Sequence, residues 1–162
     1  MNYNITHNCN IMKYFARSEE IIMDKINVLV VDDQPGIRFL MEVIVTDMGH
    51  QYATAKNGAE ALEMVQKSQP DLVFMDICMP VMNGMDALVK MKKIVPNTEV
   101  VLMTAYSTKE SMEVALKNGA LCCIRKPFDV DEIKNFLYDF VWQWRQGKPI
   151  EFPVFEDIHC TA

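Results

Sequence analysis

Long apolar runs are missing from this sequence. No stretch approaches the roughly 18 residues that would suggest a membrane span, and Asn4, Thr6, His7 and Asn8 stand where a secretory signal would be apolar. A cytoplasmic protein with no membrane partner is expected. An excess of positive charge is missing as well: 16 Lys and Arg face 22 Asp and Glu, for a formal net charge of −6. That is the wrong sign for a chain that holds nucleic acid through its phosphates. Cysteine is sparse and unpatterned. Cys9, Cys78, Cys122, Cys123 and Cys160 form no CxxC pair, so reduced thiols are expected, and no zinc site is visible. A length of 162 residues suits one domain with modest extensions and excludes a large multidomain enzyme. What is present is ordinary for a folded domain, with half the residues hydrophobic and 23% charged.

Residues 1–24 are polar and lack an apolar period, which predicts a flexible leader; Met23 could be the natural start. From Ile26 onward, short apolar runs alternate with helical patterns five times. Strands are predicted at Asn27–Val31, Tyr52–Ala55, Leu72–Met75, Val100–Met103 and Leu121–Ile124. Helices are predicted over 35–48, 58–67, 84–94, 108–118 and 129–146. Alternation of this kind implies a parallel sheet with helices on both faces and strands buried on both sides. Ligands of such sheets sit at the carboxyl ends of the strands, where the strand order reverses. The residues just after each strand are Asp32 and Asp33, Asp76, Thr104, and Arg125 and Lys126.

The last helix has the clearest stripe, formed by Ile133, Phe136, Leu137, Phe140, Val141 and Trp144. Gly147 and Pro149 end it. The short tail, residues 147–162, contains Phe152, Val154 and Phe155, and Tyr138 and Trp142 on the helix's opposite side offer it a place to pack. Gly58 and Gly119 suit turns or caps. Cys122 and Cys123, adjacent in a strand, should point to opposite faces and fill the core.

Three carboxylates arrive from two strand ends. Asp32, Asp33 and Asp76 would oppose one another's ionisation unless a cation joined them, and an oxygen-only ligand set of this kind suits Mg²⁺. Asp32 and Asp33 also suit a capping role ahead of a helix that starts at Pro35. Thr104 and Lys126 add a hydroxyl and an ammonium at the same edge. A phosphoryl group on a carboxylate would need such partners, because its catalysis is mainly positioning and charge stabilisation.

With these residues in place, the sequence resembles the receiver domain of two-component response regulators. The matching runs are Val30-Val31-Asp32-Asp33, Asp76 through Gly84, Met103-Thr104-Ala105-Tyr106 and Lys126-Pro127-Phe128. The resemblance covers about Ile26 to Trp144, with the domain placed at 25–146. Within the family, the runs from Val31 to Arg38 and from Lys126 to Ile133 look most like the single-domain phosphorelay intermediate of endospore-forming bacteria. The resemblance implies a flavodoxin-like (βα)5 fold with strand order 2-1-3-4-5.

It also implies roles. Asp76 would be the phosphoacceptor. Asp33 and Asp76 would bind Mg²⁺ with the backbone carbonyl of Cys78, while Asp32 would act through a bound water. Thr104 and Lys126 would hold phosphoryl oxygens, Tyr106 would be an aromatic switch coupled to Thr104, and the Lys126–Pro127 bond would be cis. The Cys78 side chain is expected to fill space. A Mg²⁺-dependent phosphatase with an aspartate nucleophile fits less well, since it would separate its two aspartates by one residue. A flavin carrier would need a glycine-rich phosphate loop in place of Asp32-Asp33-Gln34-Pro35.

From Ile37 to Val45 only Arg38 and Glu42 are not apolar, which is more than one buried stripe requires. Gln34, Ile37 and Leu40 are therefore expected to dock a helix of a partner that carries a histidine. The partners expected are a sensor histidine kinase and a histidine phosphotransfer protein, or else a target protein of the chemotaxis type. The chain itself would be a monomer or weak dimer without separate enzymatic activity. Only a short tail follows the last helix, so no DNA-binding or other output domain is expected.

Overall fold

The computed structural model describes residues 25–105, 108–147 and 149–152. The expected leader, Tyr106 and the rest of the tail lie outside them. Five strands alternate with five helices: β1 Asn27–Val31, α1 Pro35–Asp47, β2 Gln51–Ala55, α2 Gly58–Ser68, β3 Leu72–Asp76, α3 Gly84–Ile94, β4 Glu99–Thr104, α4 Lys109–Lys117, β5 Cys122–Arg125 and α5 Val130–Arg145. All strand pairs are parallel, in the order β2-β1-β3-β4-β5. The order reverses beside β1. Asp32 and Asp33 leave that strand at the reversal, and Asp76 ends the adjacent β3.

Alternating side chains divide the core into two layers. Val28, Val30, Phe74, Val101 and Met103 pack with Met41, Ile44 and Val45 of α1 and Ile133, Leu137 and Phe140 of α5. Leu29, Val31, Val73, Met75 and Leu102 meet α2, α3 and α4 on the other face. Cys122 joins the first layer and Cys123 the second, as their adjacency predicts. Burial pushes both thiols up, Cys123 to about 11 and Cys122 further. The three central strands are buried almost throughout, whereas β2 at the sheet edge is mostly half-exposed. Burial on both faces therefore holds for the centre of the sheet and not for that edge.

Local signals account for most of the helix starts. Asn57, Asn83, Thr108 and Asp129 each accept a backbone N–H of the first turn. In α1 the N-cap is Gln34, with Pro35 following and no side-chain cap. Asp32 instead accepts the Gln34 N–H at 2.9 Å, so it steadies the entry to α1 from outside the cap position. Past α5 the chain turns at Gly147, where φ is 61°, and runs back along the helix. Glu151 and Gln143 exchange two hydrogen bonds, and the Phe152 ring stacks on Phe136 at 4.3 Å. Phe152, the last described residue, thus meets Phe136 of the buried stripe, and Val154 and Phe155 lie outside the described residues. The Phe136 ring also meets Phe74 edge-on at 5.6 Å and stacks with Phe140 at 6.2 Å, so Phe152 extends an aromatic cluster.

Candidate functional site

The predicted catalytic and metal-binding side chains among the described residues lie at the carboxyl edge of the sheet. Asp32 follows β1 and is fully buried; Asp76, the last residue of β3, and Thr104, the last of β4, are also buried. Asp33 is exposed. One oxygen from each of Asp32, Asp33 and Asp76 lies within 4.8 Å of the others. The Lys126 ammonium reaches in from beyond β5, 2.6 Å from Asp32 Oδ2 and 3.2 Å from Asp76 Oδ1. Its backbone N–H donates to Thr104 O at 2.8 Å, and the Lys126–Pro127 bond is cis.

The electrostatics follow from this crowding. Burial raises the Asp76 pKa above the ordinary carboxylate value; Lys126 pulls it down, and Asp32 and Asp33 push it up further. The pocket therefore remains short of positive charge even with its lysine in place. That deficit and the all-oxygen donor set fit a hard divalent cation. Mg²⁺ at about 2.1 Å from its ligands spans roughly 4 Å between opposite oxygens, a separation of the same order as the spread of these three carboxylate oxygens.

Two groups that hold the site were not legible as such in the sequence. Arg38 Nη1 donates to Asp32 O at 2.7 Å and Asp33 O at 3.1 Å, and the Tyr52 hydroxyl donates to Arg38 O at 2.7 Å. The guanidinium thereby staples the backbone of both aspartates. A lone arginine inside the apolar run of α1 was the available signal. Gly84 is the second. A Cβ there would collide with the carbonyl oxygen of Asp76, so only glycine lets α3 start against the end of β3.

Of the expected docking residues, Gln34 is exposed, while Ile37 and Leu40 are half-buried against the core. The outward side of α1 instead shows Phe39 and Val43, 67% and 49% exposed. The Cys78 thiol is exposed, which corrects the expectation that it fills space: the β3–α3 loop turns it out of the core.

A sheet of this order with an acidic pocket at its reversal defines a doubly wound α/β protein with a phosphate- or metal-handling edge. The family model described as the response regulator receiver domain matches residues 28–138, and the chain belongs to that family. It is similar to the sporulation initiation phosphotransferase F of Bacillus subtilis, 43% identical over 114 residues that cover 70% of this chain and 92% of that one. It is also similar to the chemotaxis protein CheY of Thermotoga maritima, at 39% identity over 68% of this chain and 92% of the other. Among solved structures, the Vibrio cholerae chemotaxis response regulator CheY4 superposes with a TM-score of 0.65 at 30% identity, over 70% of this chain and 97% of that one.

Proposed function

We infer that this protein is a phosphorelay intermediate: Asp76 takes a phosphoryl group from a phosphohistidine and gives it up to the histidine of a phosphotransfer protein. The observation that carries the reading is the convergence of Asp32, Asp33, Asp76 and Lys126 at the sheet reversal. An Asp76 carboxylate oxygen attacks phosphorus and forms the new P–O bond. The P–N bond breaks, and its electron pair returns to the imidazole. Lys126 steadies the transferring oxygens as it leaves its ion pair with Asp76, and the Thr104 hydroxyl holds another. Arg38 keeps Asp32 and Asp33 in place meanwhile. Asp33, Asp76 and the Cys78 carbonyl would hold Mg²⁺, with Asp32 acting through water; the ion supplies charge neutralisation on the phosphoryl oxygens.

The partner would approach over the amino-terminal part of α1, with Gln34, Ile37 and Leu40 at the contact and the aromatic switch at Tyr106 responding to Thr104. The receiver unit would comprise residues 25–146, act in the cytoplasm as a monomer or weak dimer, and turn over no separate substrate. Identity to sporulation phosphotransferase F favours the relay role. Similarity to a chemotaxis protein supports a second reading, in which the phosphorylated form binds a target and then decays.

Intact mass after incubation with acetyl phosphate, with and without Mg²⁺, tests the site. One phosphoryl adduct that requires Mg²⁺ and vanishes in Asp76→Ala is expected, and an adduct that survives the substitution overturns the assignment. Ile37→Asp is expected to slow transfer from a phosphohistidine protein and to spare acetyl phosphate; equal loss with both donors would defeat docking through α1. Failure to phosphorylate any histidine phosphotransfer protein of its host, together with tighter binding of a target, would favour the second reading.

A further inference from the structure

Four of the five helices start with a side chain that caps their first turn, and α1 is the exception. No side chain caps it, and Pro35 at its start has no N–H to offer. The segment that carries Asp32 and Asp33 is therefore not fastened by a helix cap. Asp32 is held in other ways: its N–H donates to Ala55 O at 3.1 Å, and its carboxylate accepts from the Gln34 N–H at 2.9 Å and from Lys126 at 2.6 Å. Asp33 is exposed, and its carbonyl oxygen accepts from Arg38 Nη1 at 3.1 Å. Among the described residues that is the only hydrogen bond Asp33 makes.

Arg38 is itself seated. From a half-buried position in the first turn of α1, its guanidinium reaches back to two successive carbonyls, Asp32 O at 2.7 Å and Asp33 O at 3.1 Å. The Tyr52 hydroxyl of β2 donates to Arg38 O at 2.7 Å, so a residue of the sheet edge fixes the turn that presents the guanidinium. Burial pushes the Tyr52 hydroxyl above its ordinary pKa, which keeps it protonated as that donor. Two effects of opposite sign then act on a metal ion in the pocket. A guanidinium near the site repels a cation, so by charge alone its removal would tighten Mg²⁺ binding. A guanidinium that holds Asp33 spares the ion the cost of ordering that residue, which is worth about tenfold in an equilibrium. The bond to Asp33 lies at the exposed surface, where water and salt screen the repulsion but not the loss of order.

We propose that Arg38, seated by Tyr52, is a positioning residue for the metal ion, and that it strengthens Mg²⁺ binding although it carries charge of the same sign. The proposal rests on the reading of Asp32, Asp33 and Asp76 as a Mg²⁺ site. A guanidinium is not a metal ligand, so Arg38 acts through the backbone of the two aspartates, as the outer partners of metal sites commonly do. Tyr52 acts one step further out, through Arg38 alone.

The test is calorimetric titration of the full chain with Mg²⁺, for the wild type, Arg38→Ala, Arg38→Lys, Tyr52→Phe and the double variant of Tyr52→Phe with Arg38→Ala. Amide hydrogen exchange at Gln34, whose N–H donates to the Asp32 carboxylate, is a second readout in the metal-free state. Arg38→Ala is expected to weaken Mg²⁺ binding about tenfold and to speed exchange at Gln34. Arg38→Lys keeps the charge but lacks the planar fork for two carbonyls, so its affinity should fall between those of Arg38→Ala and the wild type. Tyr52→Phe alters no charge and should weaken binding about threefold, with no further loss on top of Arg38→Ala. Affinity that is unchanged or tighter in Arg38→Ala overturns this proposal alone, as does an Arg38→Lys variant that binds Mg²⁺ as the wild type does. A Tyr52→Phe loss that persists undiminished in the double variant overturns the role of Tyr52. If Arg38→Ala fails to fold, Arg38→Lys and Tyr52→Phe decide by the same criteria, and wild-type affinity in both overturns the proposal. A wild-type protein that binds no Mg²⁺ overturns the metal reading, and the proposal with it.

Discussion

Lys126 Nζ lies 2.6 Å from Asp32 Oδ2 across 94 residues of chain, and the same ammonium lies 3.2 Å from Asp76 Oδ1. One cation thus compensates two buried carboxylates. Lys126→Ala leaves both without it, so stability in metal-free buffer is expected to fall by about 3 kcal/mol. Mg²⁺ should bind that variant more tightly, because no ammonium competes for the pocket. Urea unfolding and calorimetric titration check the two halves, and an unchanged Mg²⁺ affinity would show that Lys126 does not neutralise the site.

Ion binding to the folded chain alone shifts the folding equilibrium by mass action. At a concentration 100 times Kd, Mg²⁺ is expected to add about 2.7 kcal/mol to the stability of the wild-type protein. Asp33→Asn should abolish most of that gain, since it removes the exposed carboxylate of the cluster and disturbs no buried ion pair. Thermal unfolding across a Mg²⁺ series measures both, and a midpoint independent of Mg²⁺ would contradict the metal site.

The Asp76 carboxyl titrates above its ordinary value in the folded protein, chiefly through burial. The folded chain therefore binds this proton more strongly than the unfolded chain does. The stabilising contribution is complete below the ordinary carboxylate pKa and is lost as pH rises through the raised folded value. In metal-free buffer Asp76→Asn should accordingly be more stable than wild type at neutral pH. The difference should shrink as pH falls through the raised value and level off below about 4. Denaturant midpoints of the two proteins across pH decide the matter, and a difference that grows toward acid would reverse the sign argued here.

Gly84 abuts the carbonyl of Asp76 so closely that a methyl group has no room, and the obstacle is backbone rather than a movable side chain. Gly84→Ala is expected to cost about 3 kcal/mol in guanidinium unfolding. Mg²⁺ affinity should fall with it, because the end of β3 must shift to make space. A variant of wild-type stability would mean that α3 can withdraw without consequence.

Much of this protein is legible along the chain. The five apolar runs and the five helical patterns predict the observed elements to within a residue or two, because both depend on local periodicity and local capping. Thr104 and Lys126 were traceable as residues just past strands. The same reasoning fails where the partner is remote. Cys78 is expected to fill space, yet the path of its loop exposes it, and Phe152 stacks on Phe136, a pairing that the helix pattern does not single out. Neither loop path nor tail docking has a period to betray it. Arg38 read as an odd charge in an apolar helix until the fold set two carbonyl oxygens in its reach.

By itself the sequence determined the alternation of strands and helices, the two-sided burial of the central strands and the place of each acidic residue at a strand end. Those are consequences of side-chain chemistry over a few residues. Only the tertiary structure decided that a lysine from the end of β5 would lie between aspartates following β1 and ending β3. It also decided that Gly84 would press on Asp76. Such relationships join distant parts of the chain, and they exist only once parallel pairing has brought the strand ends to one edge.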